Sequence, residues 1–142
     1  MKVITKNTHE TEELAHKLAS KLRGDEIIAF YGDLGAGKTT FTKGIAKYFR
    51  TKEDVSSPTY AIAHEYEGDK LKIYHFDMYR ITSYEDLEST GFFDYMGKGL
   101  IIIEWSENIE KFLPEKIVKV HIDKYPDEEN RRTIYIEGIE VQ

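Results

Sequence analysis

Residues 27–40 read Ile-Ile-Ala-Phe-Tyr-Gly-Asp-Leu-Gly-Ala-Gly-Lys-Thr-Thr, and how this stretch is read decides the fold. Ile27 to Tyr31 is a short apolar run, as expected of a parallel strand covered on both faces. Gly32 to Thr39 then satisfies G-x-x-x-x-G-K-[ST] at every fixed position. A helix is predicted from Lys38 to Arg50, so the motif falls in the strand–turn–helix setting its chemistry requires. Glycines let the backbone curl until successive N–H groups point at one anion, and the start of the helix adds its positive dipole end. Lys38 is expected to bridge β- and γ-phosphates, and Thr39 to ligate Mg2+ through its hydroxyl. A chance glycine-rich turn has no reason to sit between such a strand and such a helix.

Outward from this centre, Asn7 with Glu10 forms a capping-box pattern, and Leu14, Leu18 and Leu22 recur at helical spacing. They predict a first helix from Thr8 to Leu22, ended by Gly24 and Asp25. Pro58 makes Ser56 to Thr59 an extended loop. Two strand-like runs, Tyr60 to Tyr66 and Leu71 to Phe76, are separated by Glu67 to Lys70, which predicts an antiparallel hairpin. Ser83 with Asp86 starts a short helix that Gly91 stops. Leu100 to Ile103 reads as a buried strand, and Lys116 to Ile122 and Arg132 to Ile136 as later strands. The fold class that follows is α/β of the P-loop NTPase kind: a central mixed, mostly parallel sheet flanked by helices, with an antiparallel hairpin.

The chain has 142 residues and shows no repeat or low-complexity linker, so residues 1–142 are expected to form one domain. Cysteine is absent, which removes disulfides, thiolate metal sites and thiol nucleophiles together. Met1 to Glu13 is mostly polar and the apolar runs are far too short to cross a bilayer, so a soluble, cytoplasmic protein is expected. The net charge of −6 argues against autonomous binding of RNA, where phosphate neutralisation supplies most of the affinity. Asp127, Glu128 and Glu129 read as a solvated loop.

A P-loop enzyme also needs a carboxylate at the end of a neighbouring strand, to hold metal or orient the attacking water. Glu104 directly follows Leu100-Ile101-Ile102-Ile103, and Asp77 directly follows Ile73-Tyr74-His75-Phe76. In open α/β sheets the ligand sits at the carboxyl ends of the strands, so both acids should converge on it. Spacing leaves open which of them is the metal ligand, and either alone is also what a surface strand end looks like. Thr59, within Ser57-Pro58-Thr59-Tyr60, fits either a switch-like loop over the γ-phosphate or a proline turn feeding the hairpin. Arg80 fits a phosphate or partner contact as well as a solvated side chain, and Trp105 fits core packing as well as a partner surface. The five histidines lack metal spacing and read as structural. No Asn-Lys-x-Asp segment for reading guanine occurs, which favours ATP over GTP.

Five ordered segments resemble the TsaE family: residues 32–40, Ser-Pro-Thr-Tyr (57–60), His-Phe-Asp-Met-Tyr-Arg (75–80), Gly91 with Asp94-Tyr95, and Ile-Glu-Trp (103–105). Met78 stands where that family usually has leucine, a volume-conserving exchange. The resemblance implies a P-loop ATPase, slow on its own, needed to form N6-threonylcarbamoyladenosine at position 37 of tRNAs reading ANN codons. It implies TsaD and TsaB as partners, with tRNA held through them, which suits the acidic charge. It also implies Thr39 and Glu104 as magnesium ligands with Asp77 close by, and Lys38, Asp77 and Glu104 as the catalytic set. ATP would meet Gly35, Ala36, Gly37, Lys38, Thr39 and Thr40, together with Thr8 at the start of the first helix. A small-molecule kinase shares the P-loop but normally carries an arginine-rich lid, and Arg131-Arg132 is the only arginine pair here. A nucleotide-gated binding module without turnover is the third class compatible with the motif.

Overall fold

A computed structural model describes residues 1–32, 37–52 and 63–141. Along the chain run β1 (Lys2–Thr5), α1 (Thr8–Ala19), β2 (Ile27–Gly32), α2 (Lys38–Tyr48), β3 (Ala63–Glu67) and β4 (Lys72–Asp77). These are followed by α3 (Tyr84–Ser89), α4 (Phe92–Tyr95), β5 (Leu100–Glu104), β6 (Val118–Tyr125) and β7 (Glu128–Glu137). The strands form one sheet in the order β1-β7-β6-β2-β5-β4-β3. The four central strands β6, β2, β5 and β4 are parallel, and antiparallel strands extend them at both ends. The sheet is therefore mixed as expected, with its parallel pairing confined to the centre and equalled in number by the antiparallel pairings on the flanks.

Strand alternation divides the core in two. Ile28 and Phe30 of β2 and Leu100 and Ile102 of β5 face α1 and α2, where they meet Leu14, Leu18, Phe41 and Ile45. Ile27 and Ala29, with Ile101 and Ile103, face the opposite way, toward Leu87 of α3 and Phe92 of α4. Coverage on both faces is why β2 and β5 read as unbroken apolar runs. Helices α1 and α2 run side by side in the same direction, since Glu12 pairs with Lys47 and His16 stacks edge-on against Tyr48. Gly44 permits their close approach: a methyl group there would stand 2.5 Å from the Glu12 carbonyl oxygen and 2.7 Å from Ala15 Cβ. Among the described residues, no helix is long and apolar enough to cross a membrane.

The predicted elements are present, with boundaries moved by local chemistry. Asn7 Oδ1 accepts from the Glu10 backbone N–H at 2.9 Å, so α1 starts at Thr8. It stops at Ala19 rather than Leu22, where the Ser20 hydroxyl donates to the Lys17 carbonyl and turn bonds take over. Helix α2 stops at Tyr48 because Arg50 adopts a left-handed φ of 56°, and Thr51 and Arg50 donate back to Ala46 and Lys47. Ser83 caps α3 through the Asp86 N–H as predicted, and Gly91 lies beyond its end at φ 78°. The acidic run is not simply a loop: Glu128 and Glu129 are exposed residues opening β7, and only Pro126 and Asp127 join it to β6. Edge strand β1 was not predicted.

Candidate functional site

The parallel strands β2, β5 and β4 end side by side, at Gly32, Glu104 and Asp77. Gly32 takes φ 111°, and a methyl group on it would sit 2.1 Å from the Ile122 carbonyl oxygen of β6. Only glycine lets β2 turn away so close to its neighbour. Gly37 resumes the described chain at φ 102° and ψ 17° as N-cap of α2, its carbonyl accepting from Phe41 at 2.9 Å. Gly35 and Ala36 lie outside the described residues, as do Ser57, Pro58, Thr59 and Tyr60.

Lys38 opens α2 and is buried, at 9% exposure. Its ammonium donates to the Gly32 carbonyl at 3.2 Å and lies 5.9 Å from the centre of the Trp105 ring. Among the described residues this buried cation meets a carbonyl and an aromatic face, and neither is a full counter-charge for the water it has given up. Thr39 and Thr40 follow in the first turn, half-buried, and the Thr42 hydroxyl fixes that turn by donating to the Lys38 carbonyl at 2.9 Å. Because Lys38 and Trp105 are chain neighbours of Thr39 and Glu104, their contact brings the start of α2 to the end of β5.

Asp77 and Glu104 face each other across the β4–β5 ladder, so the two predicted carboxylates are adjacent. They are differently engaged. Asp77 Oδ1 accepts the Tyr79 backbone N–H at 2.9 Å, while Glu104 Oε2 stands 2.7 Å from His75 Nε2. The Asn108 amide donates to the Met78 carbonyl at 2.8 Å and the Tyr79 carbonyl at 3.2 Å, tying the segment after β4 to the segment after β5. Trp105 sits at φ 61° and ψ 42°, uncommon for a bulky residue, and its ring meets Tyr79 edge-on at 4.8 Å. It is neither plain core nor a free surface aromatic, since it forms a half-buried wall beside the lysine. Such backbone conformations cost about 1–3 kcal/mol and persist where surrounding contacts over-determine them.

Thr8 is exposed at the first residue of α1. The parallel course of α1 and α2 puts both helix starts at the same end of the sheet. Arg80 is exposed. Two residues to which the sequence assigns no site role also lie here. Arg132 of β7 lies beside Gly37: a methyl group on that glycine would be 3.6 Å from its Nε, and its Nη1 donates to the Glu129 and Arg131 carbonyls at 2.6 and 2.7 Å. The other is His75, wholly buried behind Glu104. Among the described residues, no group of three or more histidines, acids or cysteines is arranged to hold a metal. Among the described residues, the predicted oxygen donors at this end are Thr39, Asp77 and Glu104.

The chain is similar to known proteins over most of its length. The family described as "Threonylcarbamoyl adenosine biosynthesis protein TsaE" matches residues 5–134. The Haemophilus influenzae protein named tRNA threonylcarbamoyladenosine biosynthesis protein TsaE is 44% identical over 113 residues, covering 78% of this chain and 72% of that one. The Bacillus subtilis protein of the same name is 36% identical over 135 residues, covering 94% and 84% respectively. A crystal structure of Bacillus subtilis YdiB superposes with a TM-score of 0.73 at 32% identity, over 94% of this chain and 82% of that one.

Proposed function

The chain belongs to the TsaE family, and from that premise we propose that it binds and hydrolyses ATP as part of tRNA threonylcarbamoyladenosine formation, acting with TsaB and TsaD in the cytoplasm. The observation that carries the nucleotide reading is the buried ammonium of Lys38 at the start of α2, between the Gly32 carbonyl and the Trp105 ring. A polyphosphate is the ligand that converts this costly placement into a charge-assisted one. The N–H groups at the start of α2 would meet the same oxygens, and Arg132 beside Gly37 would add a second cation.

Hydrolysis requires water to attack the γ-phosphorus while the bond from that phosphorus to the bridging oxygen of ADP breaks. Lys38 would hold the bridging region as charge develops there. Thr39, Glu104 and Asp77 would supply hard oxygens, and among the described residues no larger acidic or histidine cluster stands by, which suits Mg2+, an ion that keeps waters and shares phosphate ligands. When bound, that ion neutralises charge on the β- and γ-phosphates. Glu104, with one oxygen on His75 and no donor to the other among the described residues, is the better ligand; Asp77 already serves the Tyr79 turn. Transfer to a small molecule finds less support, because the arginine pair lies within β7 rather than on a lid.

The test is steady-state ATP hydrolysis by wild type, Lys38→Ala and Glu104→Gln across a magnesium titration. The reading expects loss of nucleotide binding in the first variant, and retained binding with impaired metal-dependent turnover in the second. Equal rates in all three proteins would remove it.

A further inference from the structure

His75 carries a polar ring at a position that packing alone would fill better with a hydrocarbon. It is 0% exposed in β4, with Ile102 as its cross-strand neighbour and the Tyr66 ring 6.3 Å away. Its Nε2 meets Glu104 Oε2 at 2.7 Å, yet among the described residues Nδ1 is buried with no hydrogen-bond partner. Leaving a ring nitrogen unpaired in the core is a cost that phenylalanine or leucine would not incur. The contact to Glu104 is what offsets it. A carboxylate only accepts, so Nε2 carries the hydrogen in this contact.

The ladder explains how the contact arises. Asp77 stands directly opposite Glu104, and His75 stands one pleat back on the same face, opposite Ile102. Glu104 therefore bends back along the sheet to reach the imidazole instead of extending from the strand end. We infer that His75 is a positioning residue for Glu104: its Nε2–H engages Oε2, selects one rotamer of the carboxylate and reserves Oε1 for Mg2+ on the nucleotide. The inference rests on the reading of Glu104 as the metal-facing acid. Buried partners that orient ligating carboxylates generally matter 10- to 100-fold to metal affinity.

The experiment measures ADP binding calorimetrically with and without MgCl2, magnesium dependence of ATP hydrolysis, and thermal midpoint, for wild type, His75→Leu, His75→Gln, His75→Asn and Glu104→Gln. Glutamine can present an N–H near the position of Nε2, whereas asparagine is too short and leucine has no donor. His75→Leu should bind metal-free ADP like wild type but lose the gain conferred by magnesium, with half-saturation for the metal raised about 10- to 100-fold. His75→Gln should recover most of that gain and His75→Asn should not. This ordering is independent of the thermal midpoints, which a merely structural role would move instead. Should His75→Leu fail to fold, the Gln–Asn contrast decides. Glutamine and asparagine behaving alike, or magnesium dependence unchanged in His75→Leu while Glu104→Gln loses it, overturns the inference alone. Magnesium dependence unchanged in Glu104→Gln removes the assignment of Glu104 and the inference with it.

Discussion

The ammonium of Lys38 lies 5.9 Å from the centre of the Trp105 ring, across the gap between the start of α2 and the end of β5. Trp105 is the sole tryptophan, so its emission reports this one place in the molecule. A phosphate drawing the ammonium away from the ring changes the field at the indole. Tryptophan fluorescence should therefore shift on adding ATP or ADP to wild type and stay flat in Lys38→Ala. Loss of charge-assisted hydrogen bonds worth about 1.5–3 kcal/mol corresponds to roughly 10- to 150-fold weaker binding, measurable by calorimetry. A wild-type affinity in Lys38→Ala would contradict this role.

Gly44 sets the distance between α1 and α2. Gly44→Ala would bring a methyl group within 2.5 Å of the Glu12 carbonyl oxygen, which is backbone and cannot swing aside. Overpacking of this kind costs about 1–3 kcal/mol, or roughly 3–10 °C in thermal midpoint for a domain near this size. A midpoint unchanged in thermal denaturation would show that the helices separate without cost.

Asn7 caps α1, its Oδ1 accepting from the Glu10 N–H at 2.9 Å, while Glu10 Oε1 reaches one residue further back and accepts from the Lys6 N–H at 2.8 Å. Asn7→Ala should destabilise the protein by about 1 kcal/mol, and Asn7→Gly by only a few tenths. Urea unfolding of the two variants separates these values.

Tyr31 at the end of β2 donates to Glu110 Oε1 at 3.1 Å. Burial first, then that hydrogen bond and the charges of Glu110 and Glu107, push its phenol above the ordinary value of 10.0. The unfolded chain then loses the proton at lower pH than the folded one, so the contribution is complete below pH about 10 and declines as pH rises further. Tyr31→Phe should flatten the alkaline fall in stability seen above pH 10, read from urea midpoints. An identical alkaline slope in both proteins would argue against the raised value.

The centre of the fold was legible because its residues are dictated by backbone chemistry. Gly32 and Gly37 both take positive φ, Lys38 and Thr39 open a helix, and Ile27 to Tyr31 must be apolar on both faces. Asp77 and Glu104 could be paired because each directly follows an apolar strand. What escaped reading depended on pairing rather than on local sequence. Strand β1 is four residues held at the edge by β7, too short for alternation to register. Arg132 comes beside Gly37 through the register of β7, and Arg50 ends α2 in a conformation for which glycine is the usual sign. His75 reads as structural because it lacks metal spacing, and local sequence carries no sign of a histidine that serves another side chain.

The most direct test of the central claim is threonylcarbamoyl transfer to tRNA over many turnovers, with purified TsaB and TsaD and with ATP consumption followed in the same reaction. The account predicts sustained modification only when this protein is present, accompanied by ATP hydrolysis, and both lost together with Lys38→Ala. Undiminished modification with Lys38→Ala, or in the absence of the protein altogether, would contradict it.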